Sequence, residues 1–290
     1  MAKKPLTWAS LVHGLFILAA TPERRMSKTL LIISGGAAAV ETAQRIKALG
    51  HTLVVCDTDP EAPTFAFADS CLIADIRAPA DCAAAAERYS RKIRRIDGVL
   101  CLTDAVMTAA AVSDRLRLPG LSMDVAALAD DRLRLKRAFA SAGAAGCWHA
   151  QIVTPQELQR AAIARENLTV KPVERRGPAL DHRLSGADDL GSLFQAARSA
   201  SPTGRVMVEQ YPPATRVSAF MEAGACRMDG AEEWRGLVER AAAALDLRDG
   251  PLTAEIAASD GRLELIDAAP YLAPDSVFLD AAIALATSGA

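Results

Sequence analysis

Glu255 and Asp267 are the residues whose types and spacing first suggest chemistry. Each lies in a short apolar segment, 252–258 or 262–267, and Ser259-Asp260-Gly261 separates the two. Such a pair is predicted to form a β-hairpin. A three-residue loop ending in Gly261 is a type I turn with a bulge, pairing Ala258 with Arg262, Glu255 with Leu265 and Thr253 with Asp267. The two carboxylates are then diagonal neighbours on one face, roughly 7–8 Å apart, where they could clamp a divalent cation through oxygen. A two-residue loop would put them on opposite faces. Spacing alone leaves a second reading open, with Asp267 a solvated strand-end charge and Glu255 paired to an arginine.

Cationic residues cluster upstream. Lys171 lies on a predicted strand over 168–172, and the basic loop Arg175-Arg176-Gly177 follows it. A further strand over 205–211 ends in polar residues and is stopped by Pro212-Pro213. The six cysteines form no C-x-x-C pair and the four histidines no H-x-x-x-H, so neither a disulfide scaffold nor a zinc site is expected.

The elements that must position these groups fall into two halves. From Met26, apolar strands are predicted at 30–34, 53–56, 70–74 and 98–102, alternating with helices at 39–49, 80–93 and 104–116. Continuous apolar strands between helices mark a parallel, doubly wound sheet, a Rossmann-like layer. Its first turn reads Ser34-Gly35-Gly36-Ala37-Ala38-Ala39, with Asp57 about 20 residues on, which raises dinucleotide binding. Two glycines of that fingerprint are missing, so a plain strand-to-helix turn explains Gly35 and Gly36 at least as well. Beyond residue 120 the pattern becomes α+β, with helices predicted over 130–142 (ended by Gly143), 232–245 and 277–287.

The 290 residues carry 33 Lys+Arg against 35 Asp+Glu and are 51% hydrophobic. That excludes a disordered chain and argues against a dedicated nucleic-acid binder. Three divisions follow: 1–25, 26–120 and 121–290. In the first, Lys3 and Lys4 precede an apolar run over 8–20, too short for the roughly 20 residues that span a bilayer. It reads first as an extension from a mis-called start or a disordered tail, then as a membrane-surface anchor, and last as a secretory signal. No integral membrane span is expected, and the location expected is cytoplasmic.

The ordered series is more specific than its parts. Ile96-Asp97-Gly98-Val99-Leu100 is followed by the helix opened by Asp131-Arg132, then Val170-Lys171-Pro172, Val208-Glu209-Gln210-Tyr211, Glu255, and Leu265-Ile266-Asp267-Ala268-Ala269-Pro270. Over residues 28–290 this series resembles the ATP-grasp superfamily, in particular its carboxylate–amine ligases. The resemblance implies a Rossmann-like pre-ATP-grasp domain and a shortened α+β ATP-grasp domain. It also implies ATP and Mg2+ as cofactors, and a small carboxylic acid and an amine as substrates joined through an acylphosphate. Ligases of this kind are often homodimers. By residue, it implies phosphate contact by Lys171, an adenine-facing hinge at Glu209, Gln210 and Tyr211, and a phosphate-covering loop at Gly177. Metal falls to Glu255 and Asp267. Arg132 stands for a nucleotide-binding lysine and Arg216 for an acidic residue near the ribose. Pro212 stands where the hinge uses a backbone N–H, Ala269 for a metal-binding asparagine, and Tyr271 for an arginine. Lys136, Arg175, Arg176 and Arg216 could replace the lost cationic contacts or form a solvated basic face. Between Ser218 and Glu232 several strands are expected to be missing. These departures keep two other functions in view: a catalytically degenerate binding protein, and a dinucleotide binder acting through Gly35, Gly36 and Asp57.

Overall fold

The computed structural model describes residues 27–144, 146–175, 177, 180–186, 188–259 and 262–288. The expected extension 1–25, Arg176 and the hairpin residues Asp260 and Gly261 lie outside the described residues.

The first layer is a parallel sheet in the order β3-β2-β1-β4, from Ser70–Ile73, Thr52–Asp57, Thr29–Ile33 and Gly98–Cys101. Every residue of β1 is buried, as a strand covered on both faces requires. On one face, Leu31, Ile33 and Val54 meet α2 (Pro79–Lys92) and α3 (Val106–Leu116). On the other, Leu30, Ile32 and Val55 meet α1 (Val40–Ala48) and, from the far end of the chain, Phe278, Ala282, Ile283 and Ala286. The C-terminal helix, α9 (Leu279–Thr287), thus closes the first sheet. Gly98 makes its approach possible: a Cβ there would lie 2.2 Å from the Ala286 carbonyl oxygen.

Two antiparallel sheets follow. One runs β5-β8-β6-β7, from His149–Ile152, Val206–Gln210, Leu168–Pro172 and His182–Arg183. It is backed by α6 (Pro155–Ala164) and α7 (Leu190–Ala200) through Leu158, Phe194 and Ala197. The other runs β10-β9-β11-β12, from Ala225–Asp229, Thr215–Glu222, Gly250–Ser259 and Arg262–Ala269. Leu135, Phe139, Leu237, Val238 and Ala241 pack beneath it from α5 (Arg132–Ser141) and α8 (Arg235–Ala244). Among the described residues no helix is long and apolar enough to cross a membrane.

Three expectations change. The helix expected over 130–142 is two: α4 (Met123–Asp130) stops at Asp131, whose extended backbone and side chain, accepting from the Arg134 N–H at 3.0 Å, cap a new start at Arg132. The segment expected to lack strands holds the hairpin β9–β10, which carries Arg216. Third, the β11–β12 register is shifted by one residue. Ser259 pairs with Arg262, in place of the expected Ala258. That alone would split the carboxylates between faces. An irregularity leaves Ile266 unpaired and sets Glu255 directly opposite Asp267.

Candidate functional site

Glu209, on β8, is only 1% exposed, and a carboxylate so placed requires compensating charge. Lys136 of α5 brings its Nζ to 2.6 Å of one oxygen, and Lys171 of β6 pairs with the other. Burial pushes the Glu209 carboxyl up, but the charges of Lys171 and Lys136 outweigh it and hold it below the usual carboxylate range. Lys136 also donates to the Ile266 carbonyl at 2.7 Å, so the residue that the hairpin irregularity leaves unpaired is satisfied from α5.

Lys171 alone of the two lysines reaches a cavity of about 480 Å³. Its walls come from β6, β7, the start of α5, the β11–β12 hairpin and the loop after β4 at Leu102, Thr103 and Asp104. Arg132, Lys171, Arg175, Arg183 and Arg216 line it together with Asp104, Asp181, Glu255 and Asp267. Arg132 donates to Pro172 O at 2.9 Å and to Asp181 at 3.0 Å, and Asp181 lies 3.6 Å from Lys171. The buried Nε of Arg132 and Oδ1 of Asp181 have no hydrogen-bond partner among the described residues. Arg183 donates to Tyr211 O at 2.8 Å, and its guanidinium and the Lys171 ammonium both lie against the Tyr211 ring, at 5.6 and 5.4 Å.

The carboxylate pair is engaged. Arg175, 4% exposed, forks onto Asp267 at 2.7 and 2.6 Å and donates further to Ala129 O at 2.8 Å and Ala268 O at 3.2 Å. Burial raises the Asp267 carboxyl, yet Arg175 holds it far below the ordinary range. Glu255 accepts a hydrogen bond from the Tyr211 hydroxyl and lies 3.7 Å from Arg216. Burial and then Glu255 push the Tyr211 phenol up, so it remains a donor.

Of the expected site residues, Arg132, Lys171, Tyr211, Arg216, Glu255 and Asp267 meet on this wall. Glu209 lies behind Lys171 and turns its carboxylate to the two lysines, not to the cleft. Gln210 sits off the wall and donates its backbone N–H to Trp148 O at 2.9 Å. Gly177 has a φ of +95° and donates to Asp104 at 2.6 Å, tying its loop to the first layer. At the hinge, Tyr211 donates its N–H to Asn167 O at 2.6 Å and its carbonyl takes Arg183, while Pro212 has no N–H. Asp57 accepts from the Gly35 and Asp59 amides at 2.5 and 2.9 Å. Its carboxylate therefore holds the turn and is not presented to a ribose, and Gly35 is required because a Cβ would lie 2.9 Å from Val55. Asp181 and Arg183 carried no motif signal and went unread.

No protein-family model matches the sequence, and no curated protein matches it. Solved structures do. An L-amino acid ligase from Bacillus licheniformis superposes with a TM-score of 0.65 at 18% identity, covering 84% of this chain and 67% of that one. Phosphoribosylglycinamide synthetase from Anaerococcus prevotii gives 0.62 at 16%, covering 90% and 75%. N5-carboxyaminoimidazole synthetase from Staphylococcus aureus, complexed with ADP, gives 0.64 at 16%, covering 90% and 77%. The chain shares the fold of these proteins, the ATP-grasp fold. At these identities the likeness is one of fold.

Mg2+, which the ATP-grasp resemblance implies, does not fit the arrangement of these residues. Magnesium takes six oxygens in near-octahedral geometry, usually one or two carboxylates with phosphates and waters. Both oxygens of Asp267 are held by a guanidinium, one of Glu255 by a phenol, and Ala269 offers no side-chain donor. A nucleotide's polyphosphate fits better: the cavity is within the usual 300–1,000 Å³ of small-molecule sites, and its cations stand along one wall.

Proposed function

We propose that the protein is an ATP-dependent ligase of the carboxylate–amine type, with the nucleotide in the cleft lined by Arg132, Lys171 and Arg175. The observation that carries this reading is the convergence of these three buried cations on one cavity of a chain with the ATP-grasp fold. The solved neighbours are named as ligases and synthetases, and one holds ADP. When bound, ATP supplies the phosphoryl group that turns a carboxylate into an acyl donor for an amine.

The chain's own residues then have distinct tasks. Lys171, held by Glu209 and flanked by Tyr211, presents a fixed ammonium to phosphate oxygens. Arg132 offers a terminal nitrogen once Asp181 is displaced. Arg216, on the exposed rim beside Glu255, is placed to meet the acid substrate or the developing phosphate charge. The apolar part of the nucleotide lies towards Tyr211 without a main-chain donor from Pro212.

Phosphate release from ATP in the presence of small carboxylic acids and amines tests the proposal. Release should require both acid and amine and disappear in Lys171→Met. A second reading, a protein that binds nucleotide without catalysing ligation, draws on the Asp267–Arg175 pair together with Pro212 and Ala269. ATP binding with no acid- and amine-dependent release would favour it.

A further inference from the structure

The Arg175 guanidinium lies across a carboxylate that the ATP-grasp resemblance assigns to a metal. It is not a surface contact: Arg175 and Asp267 are linked by two parallel hydrogen bonds of 2.7 and 2.6 Å, and two backbone carbonyls, Ala129 O and Ala268 O, fix the same guanidinium from other sides. Asp267 is held in its turn, accepting the Ala268 N–H at 2.9 Å. Across the hairpin, Glu255 is capped by the Tyr211 hydroxyl. A guanidinium provides a permanent positive charge with five planar donors, whereas a divalent ion needs oxygens that this site has already committed. Lys171 and Arg132 stand on the same wall, so cations built into the chain face a polyphosphate.

We infer that Arg175 stands in for the divalent ion, so that this cleft binds a nucleoside triphosphate in its metal-free form. The inference rests on the proposal that the cleft is a nucleotide site, and it adds that the charge-neutralising cation is part of the polypeptide. Metal-free ATP carries more negative charge than its magnesium complex. The cleft meets that extra charge with Arg132, Lys171 and Arg175 together, and no physiological pH removes the charge of either guanidinium. Binding should therefore tolerate chelation.

Isothermal titration of the full-length protein with ATP, once in excess EDTA and once in excess MgCl2, tests this directly. The expected result is binding in EDTA at least as tight as in magnesium. Binding that appears only with magnesium would overturn the inference and leave the nucleotide site standing. Heat in neither buffer would remove both. The variant Arg175→Gln vacates the guanidinium position, and ATP binding to it should weaken by about tenfold in EDTA and recover in magnesium. Equal weakening in both buffers would contradict the assigned role. Should that variant fail to fold, Mn2+ titrated into the wild-type protein without nucleotide, followed by electron paramagnetic resonance, supplies the control. No bound Mn2+ is expected, and stoichiometric uptake would overturn the substitution.

Discussion

At the scale of single residues, two buried ion networks dominate the cleft and differ in what they reach. Lys136 and Lys171 both neutralise Glu209, but only Lys171 also lines the cavity. Removing either leaves Glu209 with one partner, and breaking a buried pair costs about 3–5 kcal/mol where no second partner remains. Lys171→Met and Lys136→Met should therefore both lower stability in urea unfolding, by less than that full amount. ATP affinity should separate them. A charge-assisted hydrogen bond of about 1.5–3 kcal/mol corresponds to a loss of about tenfold or more for Lys171→Met, against little change for Lys136→Met. Arg175→Met leaves Asp267, a fifth exposed, to the more distant charges of Lys171 and Arg132, and should cost less than the full range of about 3–5 kcal/mol in the same unfolding measurement.

At the scale of elements, backbone approach decides how the layers hold the site. Gly98 on β4 meets the Ala286 carbonyl of α9, where an added Cβ would lie 2.2 Å from the oxygen. Gly98→Ala should push α9 off the first sheet and lower stability by about 1–3 kcal/mol, in the range of core overpacking, read as a lower urea midpoint. The β11–β12 hairpin shows how far such detail was legible in the sequence. Short apolar segments on either side of Ser259-Asp260-Gly261 marked the two strands, and a three-residue loop with a bulge was expected to put both carboxylates on one face. The route differs: Ser259 pairs with Arg262, and the unpaired Ile266 then brings Glu255 opposite Asp267. Nothing local marks Ile266, because the irregularity answers a distant need, the Lys136 hydrogen bond to its carbonyl. In the same way the break at Asp131 was hidden in a continuous helical pattern, its cap being a side-chain choice.

At the scale of the whole molecule, the parallel layer was readable from its continuous apolar strands, and the fold from the order of weak motifs along the chain. The pairing inside the cleft was not. Asp181 and Arg183 matter only because β7 folds back beside β6, a tertiary fact. The same ion pairs shape the response of the molecule to acid. Asp267 and Glu209 are both held below the ordinary carboxylate range in the folded protein, so the unfolded chain takes up their protons first. Their stabilisation is complete above about pH 4, the unfolded carboxylate value, and is lost as the pH falls towards the folded values. The melting temperature should drop below about pH 4, and Asp267→Asn should make that drop shallower while lowering stability at neutral pH.

The central claim, that the cleft between the β6 sheet and the β11–β12 hairpin receives a nucleotide's phosphates, is tested most directly by a crystal structure of the protein soaked with ATP. The account predicts phosphate oxygens within hydrogen-bond distance of Lys171 Nζ and the Arg132 and Arg175 guanidinium groups, with Asp181 turned away from Arg132. Nucleotide bound elsewhere, or a cleft in which the Arg132–Asp181 pair stays closed at saturating ATP, would contradict it.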